Sequence, residues 1–220
     1  MRTDVHAHYV PPELIRKVKG DPSLGVRLET STEGTQYFQF DYGLKVRPFF
    51  PRLLDVEDRW REMDRTSIDR QVLQVWSDIF AYEMSPVQGA RWHRTINECM
   101  FAVVEAHPDK LSGWASVPLQ DAEAASLELR YAVGQLGAVG GVIAANVRGI
   151  NLGEWPLDPF WATAQELGIP LFIHPNQPEP PTRAQSFRLN AIANYLYDTT
   201  LTVGSIIFSG VLDRYPSLEL

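Results

Sequence analysis

The chain has 220 residues, of which 45% are hydrophobic and 21% charged, a composition that excludes disordered and collagen-like proteins. Its net charge of −7 argues against a nucleic-acid groove, because phosphate binding needs clustered Lys and Arg. The single cysteine, Cys99, excludes an internal disulfide. Neither a signal peptide nor a membrane span of roughly 18 apolar residues is visible. A cytoplasmic protein is therefore expected, with no nucleic-acid or membrane partner.

Short apolar runs alternate with amphipathic segments along most of the chain. The runs predict five strands, at residues 3–8, 70–76, 111–117, 139–144 and 169–174, and residues 218–220 resemble the opening of a sixth. N-cap signals predict helices that begin after Asp55, Ser85 and Asp121, and a fourth helix runs from Asp158 to Gly168. A fifth is expected over residues 188–209.

Strands separated by helices of this length build parallel β–α–β units, which close right-handed. A closed barrel of such units needs eight strands and usually about 250 residues. We therefore predict an α/β fold of the TIM type. It is a (β/α)8 barrel, present as an incomplete barrel of about five and a fraction units, in a single domain over residues 1–220.

Residues 9–51 interrupt this rhythm. Within them Val26–Thr30 and Gln36–Phe40, joined around Glu33 and Gly34, are typical of a β-hairpin. This segment follows the first strand, so we predict an insertion over the mouth of the barrel. A short Pro-Glu-Pro-Pro loop at 178–181 is the other irregular stretch.

The segment Asp4-Val5-His6-Ala7-His8 carries the first chemical signal. Side chains two residues apart on a strand point to the same face, so His6 and His8 can both reach one metal ion at about 2.0–2.1 Å. They lie at the carboxyl end of the first strand, where barrel enzymes place their sites. A bare His-x-His pair is a weak motif, and two exposed histidines without a ligand are the alternative.

A third histidine, His174, ends the apolar run of the fifth strand. The alternative here is a core His bonded to backbone. The carboxyl ends of the first and fifth strands face the same mouth, so we expect three imidazoles to converge there. Three histidines with an open position are the pattern of a catalytic rather than a structural zinc site. The two motifs together predict a metal site.

Four other residues have ordinary structural explanations. His93 is expected on a surface turn of the helix after Ser85, exposed to solvent. His107 ends that helix, where a His interacts favourably with the helix dipole. Cys99 is expected to be a small buried apolar residue. Most tryptophans are expected in packing, although Trp76 ends the second strand and could line the pocket.

Arg47 stands next to Pro48 in an otherwise apolar part of the insertion. A surface Arg is the simplest interpretation. Over the mouth of an active site, however, an Arg is suited to bidentate recognition of a carboxylate. Both interpretations stay open on these residues alone.

Several longer segments accompany these motifs: Asp-Val-His-Ala-His at 4–8, Val-Arg-Pro at 46–48, Trp-Arg-Glu-Met-Asp at 60–64, Ile-Asp-Arg-Gln-Val at 68–72, and residues 115–121, 169–175 and 208–216. In combination, and over the whole chain, they resemble the decarboxylase branch of the amidohydrolase superfamily. The resemblance implies that His6, His8 and His174 are metal ligands and that Arg47 binds a substrate carboxylate. It also implies zinc, with manganese as the alternative, a small-molecule carboxylate as partner, and a homodimer for the full-length protein.

The same resemblance implies that parts of the site are absent. The family places its acid/base His and a further metal-binding Asp after the segment that ends this chain at Leu220. No catalytic acid/base is therefore assigned, and the chain alone is expected to be inactive.

Three functions stay open. The first is a metal-dependent, cofactor-free decarboxylase of an unsaturated or aromatic carboxylate, which Arg47 and the hairpin favour. The second is a hydrolase of the same superfamily that cleaves an ester, lactone or amide by metal-assisted attack of water. The third is an inactive fragment that retains the first part of the fold.

Overall fold

The computed structural model describes residues 1–176 and 182–220. In chain order its strands are β1 (Thr3–Tyr9), β2 (Val26–Thr30), β3 (Gln36–Phe40), β4 (Arg70–Val75), β5 (Leu111–Ser116), β6 (Gly140–Ala144), β7 (Asn146–Val147), β8 (Ile150–Asn151) and β9 (Leu171–His174). All five predicted strands are present, as β1, β4, β5, β6 and β9. The predicted loop at 178–181 lies outside the described residues.

These five strands form one parallel sheet, in the order β1-β4-β5-β6-β9. Neighbours in the sheet are thus successive in the chain, as in the β–α–β units of a barrel, and the prediction of an incomplete (β/α) barrel is confirmed. Residues 218–220 form no strand. The carbonyl of Glu219 accepts the N–H of Leu171 at 2.9 Å, so the chain returns beside β9 with one hydrogen bond but without a ladder.

The helices are α1 (Pro12–Gly20), α2 (Pro51–Leu54), α3 (Val56–Thr66), α4 (Pro86–Ala106), α5 (Ala122–Leu136), α6 (Asp158–Leu167), α7 (Tyr195–Phe208) and α8 (Val211–Arg214). Asp55, Ser85 and Asp121 accept backbone N–H groups in the first turns of α3, α4 and α5, as predicted. The helix expected over 188–209 differs, since a π-helical stretch (Asn190–Asn194) precedes α7. None of the described helices is long and apolar enough to cross a membrane.

The two faces of the parallel sheet differ in what covers them. Gly113 of β5 faces α4, because a Cβ at this position would lie 2.9 Å from the ring of Phe101. The next residue, Trp114, therefore faces the opposite side, where its ring lies 5.8 Å from that of Phe172. Phe172 in turn lies 5.2 Å from the ring of His6. One face thus packs on helices, and the other carries aromatic and imidazole side chains.

The predicted hairpin has the predicted bounds, with β2 and β3 paired antiparallel and Gly34 at φ 81° in its turn. Phe38 and Phe40 are fully buried, and their rings lie 5.8 and 5.6 Å from that of Trp92 on α4. Helix α1, which the sequence did not predict, precedes the hairpin. The insertion is therefore anchored on α4, and its placement over the barrel mouth stays a prediction.

Candidate metal centre

Two histidines lie near the carboxyl end of β1. His8 pairs in register with Gln74 of β4, after an irregularity between Asp4 and Ala7. His6 is exposed and His8 half-buried, and their ring centroids lie 4.9 Å apart. Both imidazoles therefore lie on one side of β1.

The third histidine reaches them from the other edge of the sheet. His174 is buried and ends β9, and β1 and β9 are the two edge strands. Four strand spacings of about 4.8 Å would separate such edges by roughly 19 Å in a flat sheet. Nevertheless, the ring centroid of His174 lies 5.0 Å from those of His6 and His8. The sheet must curl as a barrel wall does, and its curvature brings the three rings together.

The facing nitrogens are spaced as metal ligands are. Nε2 of His8 lies 3.2 Å from Nε2 of His6 and 3.2 Å from Nε2 of His174. One nitrogen from each ring lies within 4.8 Å of the other two. Two nitrogens bound to one ion at about 2.1 Å lie roughly 3.0–3.5 Å apart at ordinary coordination angles. The geometry therefore fits a single ion.

The outer nitrogens of two rings identify their tautomers. Nδ1 of His174 lies 2.7 Å from the carbonyl oxygen of Pro175, and Nδ1 of His8 lies 3.3 Å from that of Val75. A carbonyl oxygen only accepts, so each Nδ1–H donates and each Nε2 carries a lone pair. Two lone pairs 3.2 Å apart repel each other unless a cation lies between them. Metal-binding histidines have this arrangement, with the outer N–H bonded to a carbonyl or carboxylate.

Burial keeps the imidazoles uncharged. The pKa of His8 is lowered to about 3, first by burial and then by the charges that His174 and His6 would carry. Burial also lowers the pKa of His174 to about 4 against the opposing effect of its bond to Pro175. His6 is exposed as a residue, but partial desolvation of its ring lowers the pKa, an effect that the charge of Asp4 opposes. All three rings are neutral at pH 7, which is the form that binds metals.

Arg47 is held by the carboxylate of Asp78. Its Nε donates to Oδ2 of Asp78 at 2.6 Å, and its Nη2 donates to Oδ1 at 2.9 Å. The guanidinium carbon lies 5.1 Å from the centroid of the Trp76 ring. Asp78 is near enough to His174 for its charge to oppose part of the lowering of the pKa of that imidazole by burial. Arg47 is thus linked to His174 only through Asp78, and 65% of its side chain is exposed; its approach to the histidine cluster stays a prediction.

Sequence reasoning missed Asp78. The available signal was its position in the loop directly after β4, since barrel enzymes draw site residues from the loops at the carboxyl ends of strands. A short helical turn (Ser77–Ile79) fixes this loop. Asp78 matters because it occupies two donors of Arg47, to which the family resemblance assigns a substrate carboxylate.

The expectation that His93 is solvent-exposed is wrong. Its side chain is completely buried, with Nε2 3.0 Å from the carbonyl oxygen of Phe80 and Nδ1 2.8 Å from Oγ of Ser116. Nε2–H therefore donates to the carbonyl, and Nδ1 accepts the hydroxyl proton. Because both nitrogens have partners, the ring can be buried without an unpaired polar atom. His93 supports the loop that carries Asp78.

The other residues that the sequence analysis named serve in packing or at a helix end. Trp76 is buried beneath the insertion, where the rings of Phe49 and Phe50 each lie 6.1 Å from it, and it lies under Arg47. Cys99 is buried, as predicted. His107 is the residue at which α4 ends, also as predicted.

Fold and site together define a class. The chain forms a (β/α) barrel wall with a histidine cluster at the carboxyl ends of its strands, the arrangement of the barrel enzymes. More particularly, the chain belongs to the amidohydrolase family, whose family model matches residues 3–220. The curated relatives that it is similar to are decarboxylases.

Two curated relatives and one solved structure illustrate the similarity. The 2-amino-3-carboxymuconate-6-semialdehyde decarboxylase of Dictyostelium discoideum is 28% identical over 229 residues, covering 100% of this chain and 61% of the relative. The gamma-resorcylate decarboxylase of a Polaromonas species is 28% identical over 181 residues, which cover 77% of this chain and 55% of the relative. The structure of the 5-carboxyvanillate decarboxylase of Novosphingobium aromaticivorans, with bound manganese, has a TM-score of 0.75 at 22% identity. That match covers 99% of this chain and 64% of the other.

The chain thus spans about three-fifths of the length of the Dictyostelium relative and of the 5-carboxyvanillate decarboxylase.

Proposed function

We propose that this chain belongs to a metal-dependent decarboxylase that acts on a small unsaturated or aromatic carboxylate. The observation that carries the proposal is the pair of Nε2 lone pairs on His8 and His174, which face each other at 3.2 Å. The names of the relatives, all decarboxylases of such acids, support the reaction type.

In this proposal His6, His8 and His174 hold one divalent ion. When bound, such an ion would supply Lewis acidity. The chain's own contribution is to present three neutral imidazoles. The bonds from the two Nδ1–H groups to the carbonyls of Pro175 and Val75 fix two of the rings before an ion arrives.

Arg47 is proposed to bind a carboxylate of the substrate. Asp78 occupies Nε–H and one N–H of Nη2, which leaves three of the five N–H donors of an arginine. The end of the guanidinium group, Nη1 and Nη2, can therefore still bind a second carboxylate in bidentate fashion. Trp76 and Asp78 hold the group in one orientation.

The identity of the ion is proposed from the donor set. Three imidazoles without a carboxylate suit zinc better than manganese, while a relative's structure holds manganese. Both ions are therefore tested. The metal-stripped chain is titrated with each by calorimetry, beside His8→Ala. We expect one ion per chain for the wild type and none for the variant. Equal binding by both proteins would place the ion elsewhere.

The reaction is tested by supplying the metal-loaded full-length protein with 2,6-dihydroxybenzoate and with an aromatic ester, and measuring carbon dioxide release and ester hydrolysis. The proposal requires carbon dioxide release. Hydrolysis without carbon dioxide release would assign the hydrolase function instead, and the absence of both activities would overturn the proposed reaction. Arg47→Ala should raise KM by about tenfold, the effect of about 1.4 kcal/mol. Arg52→Ala, which removes another exposed arginine of the same region, should leave KM unchanged.

A further inference from the structure

The loop after β9 is held by a closed group of polar contacts. The N–H of Asn176 donates to Oδ2 of Asp198 at 2.8 Å. Nδ2 of Asn146 donates to the carbonyl oxygen of Asn176 at 3.0 Å and to Oδ1 of Asp198 at 3.1 Å. Asp198 lies on α7 with 7% of its surface exposed. The loop that begins at His174 is therefore fixed from α7 and from the segment after β6 at once.

One of these contacts acts on the same peptide group that His174 uses. The carbonyl of Pro175 accepts Nδ1–H of His174, and the N–H of that peptide unit is the N–H of Asn176, which Asp198 accepts. A peptide unit is planar and rigid, so the direction of its N–H also sets the direction of its C=O. Asp198 and His174 are thus linked through a single peptide plane.

A carboxylate at this position does more than a neutral group could. Hydrogen bonds in a chain polarise one another, so a charge accepting the N–H makes the carbonyl at the other end a stronger acceptor for Nδ1–H. Among the salt bridges of residues 1–176 and 182–220 none involves Asp198. A buried carboxylate without a cation is costly, and packing of α7 alone does not require one.

We propose that Asp198 is a positioning residue for His174: through the Pro175–Asn176 peptide it fixes the Nδ1–H tautomer and the ring orientation, so that Nε2 faces the other two histidines. This inference rests on the proposed metal site only for its consequence, the affinity for the ion. Metal-binding histidines commonly donate their outer N–H to a carboxylate or a carbonyl. Here the outer N–H of His174 donates to the carbonyl of Pro175, and the carboxylate of Asp198 accepts the N–H of the same peptide unit.

The variant that tests the proposal is Asp198→Asn. An amide presents one oxygen and one NH2 group, whereas both oxygens of Asp198 meet N–H donors, so one of the two hydrogen bonds is lost and the charge with it. Asp198→Ser, whose hydroxyl can accept one N–H without a charge, is the second variant in case the first does not fold. The matched control is Thr202→Val, one turn further along α7. Thr202 is fully buried, and its hydroxyl accepts the N–H of Leu152 at 3.1 Å, away from the His174 loop.

Two measurements are made on the whole chain. Two-bond ¹H–¹⁵N correlations of the metal-free protein report the tautomer of His174, and calorimetric titration with zinc reports the affinity. We expect a pure Nδ1–H tautomer in the wild type and in Thr202→Val, and a mixture of tautomers in both Asp198 variants. Zinc affinity should fall about 10- to 100-fold in the Asp198 variants, as for other second-layer changes, and stay within about twofold in the control.

An unchanged tautomer in folded Asp198 variants would overturn the inference, and so would an equal loss of affinity in Thr202→Val. Absence of zinc binding by the wild type would instead refute the proposed metal site, and the tautomer measurement would still decide the role of Asp198.

Discussion

Removal of His93 should change how the stability of the protein depends on pH. The imidazole is fully buried between Phe80 and Ser116, and burial lowers its pKa to about 3, against about 6.5 in an unfolded chain. A lowered pKa stabilises the folded state above the unfolded value of 6.5, and this stabilisation is lost as the pH falls toward 3. Between pH 7 and pH 5 the unfolded chain takes up about 0.7 of a proton at this residue, which lowers the free energy of unfolding by about 2 kcal/mol.

The variant His93→Gln lacks this proton uptake. At pH 7 it should be less stable than the wild type by about 1–3 kcal/mol, because the hydroxyl of Ser116 loses its acceptor. At pH 5 that difference should shrink by about 2 kcal/mol. Urea unfolding at pH 7 and pH 5, followed by tryptophan fluorescence with a chelator present, measures this difference in unfolding free energy. Proton uptake by the other histidines is common to both proteins and cancels.

A control on the same helix separates titration from packing. Thr95→Ala removes a hydrogen bond to the carbonyl of Arg91 but no titratable group, so its stability should run parallel to that of the wild type at both pH values. The reasoning is refuted if the unfolding free energy of His93→Gln also differs from that of the wild type by the same amount at both pH values.

Three further substitutions test which contacts stabilise the fold. In Gly153→Ala the new Cβ would lie 2.3 Å from the carbonyl oxygen of Ser205, so urea unfolding should show a loss of about 1–3 kcal/mol. Gly134→Ala, within α5 and with no atom inside 4 Å of its Cβ, should instead be neutral or stabilising by up to about 1 kcal/mol. Asp55→Ala removes the acceptor for the N–H groups of Glu57 and Asp58 and should lower the unfolding free energy by about 1 kcal/mol. An unchanged urea midpoint would show that this cap contributes nothing.

Local signals predicted most of the architecture. Asp55, Ser85 and Asp121 cap helices because a side-chain oxygen a few residues before an apolar repeat satisfies the free N–H groups there. Gly34 allowed the hairpin turn to be placed. Helix α1 was missed, although the spacing of Leu14 and Val18, both buried, was a signal for it. That helix has only nine residues, too few for a strong periodic pattern.

The site was predictable where position along a strand decides it. His6, His8 and His174 stand at the ends of strands that a barrel brings together, so the expectation needed only the fold. The environments of His93 and Arg47 depend on partners distant in the sequence. His93 meets groups 13 and 23 residues away, and Arg47 meets Asp78 at a separation of 31. No local sequence pattern predicts contacts between residues that far apart in the chain.

Because the histidines lie on the two edge strands, the distances between them depend on the curvature of the sheet. His8 and His174 meet only because β1 and β9 bend toward each other across β4, β5 and β6. An ion bound by both residues would link the two edge strands, β1 and β9. Its binding free energy would therefore stabilise the curved sheet against flattening. A substitution in the middle strand, far from any ligand, could therefore weaken metal affinity simply by straightening the wall.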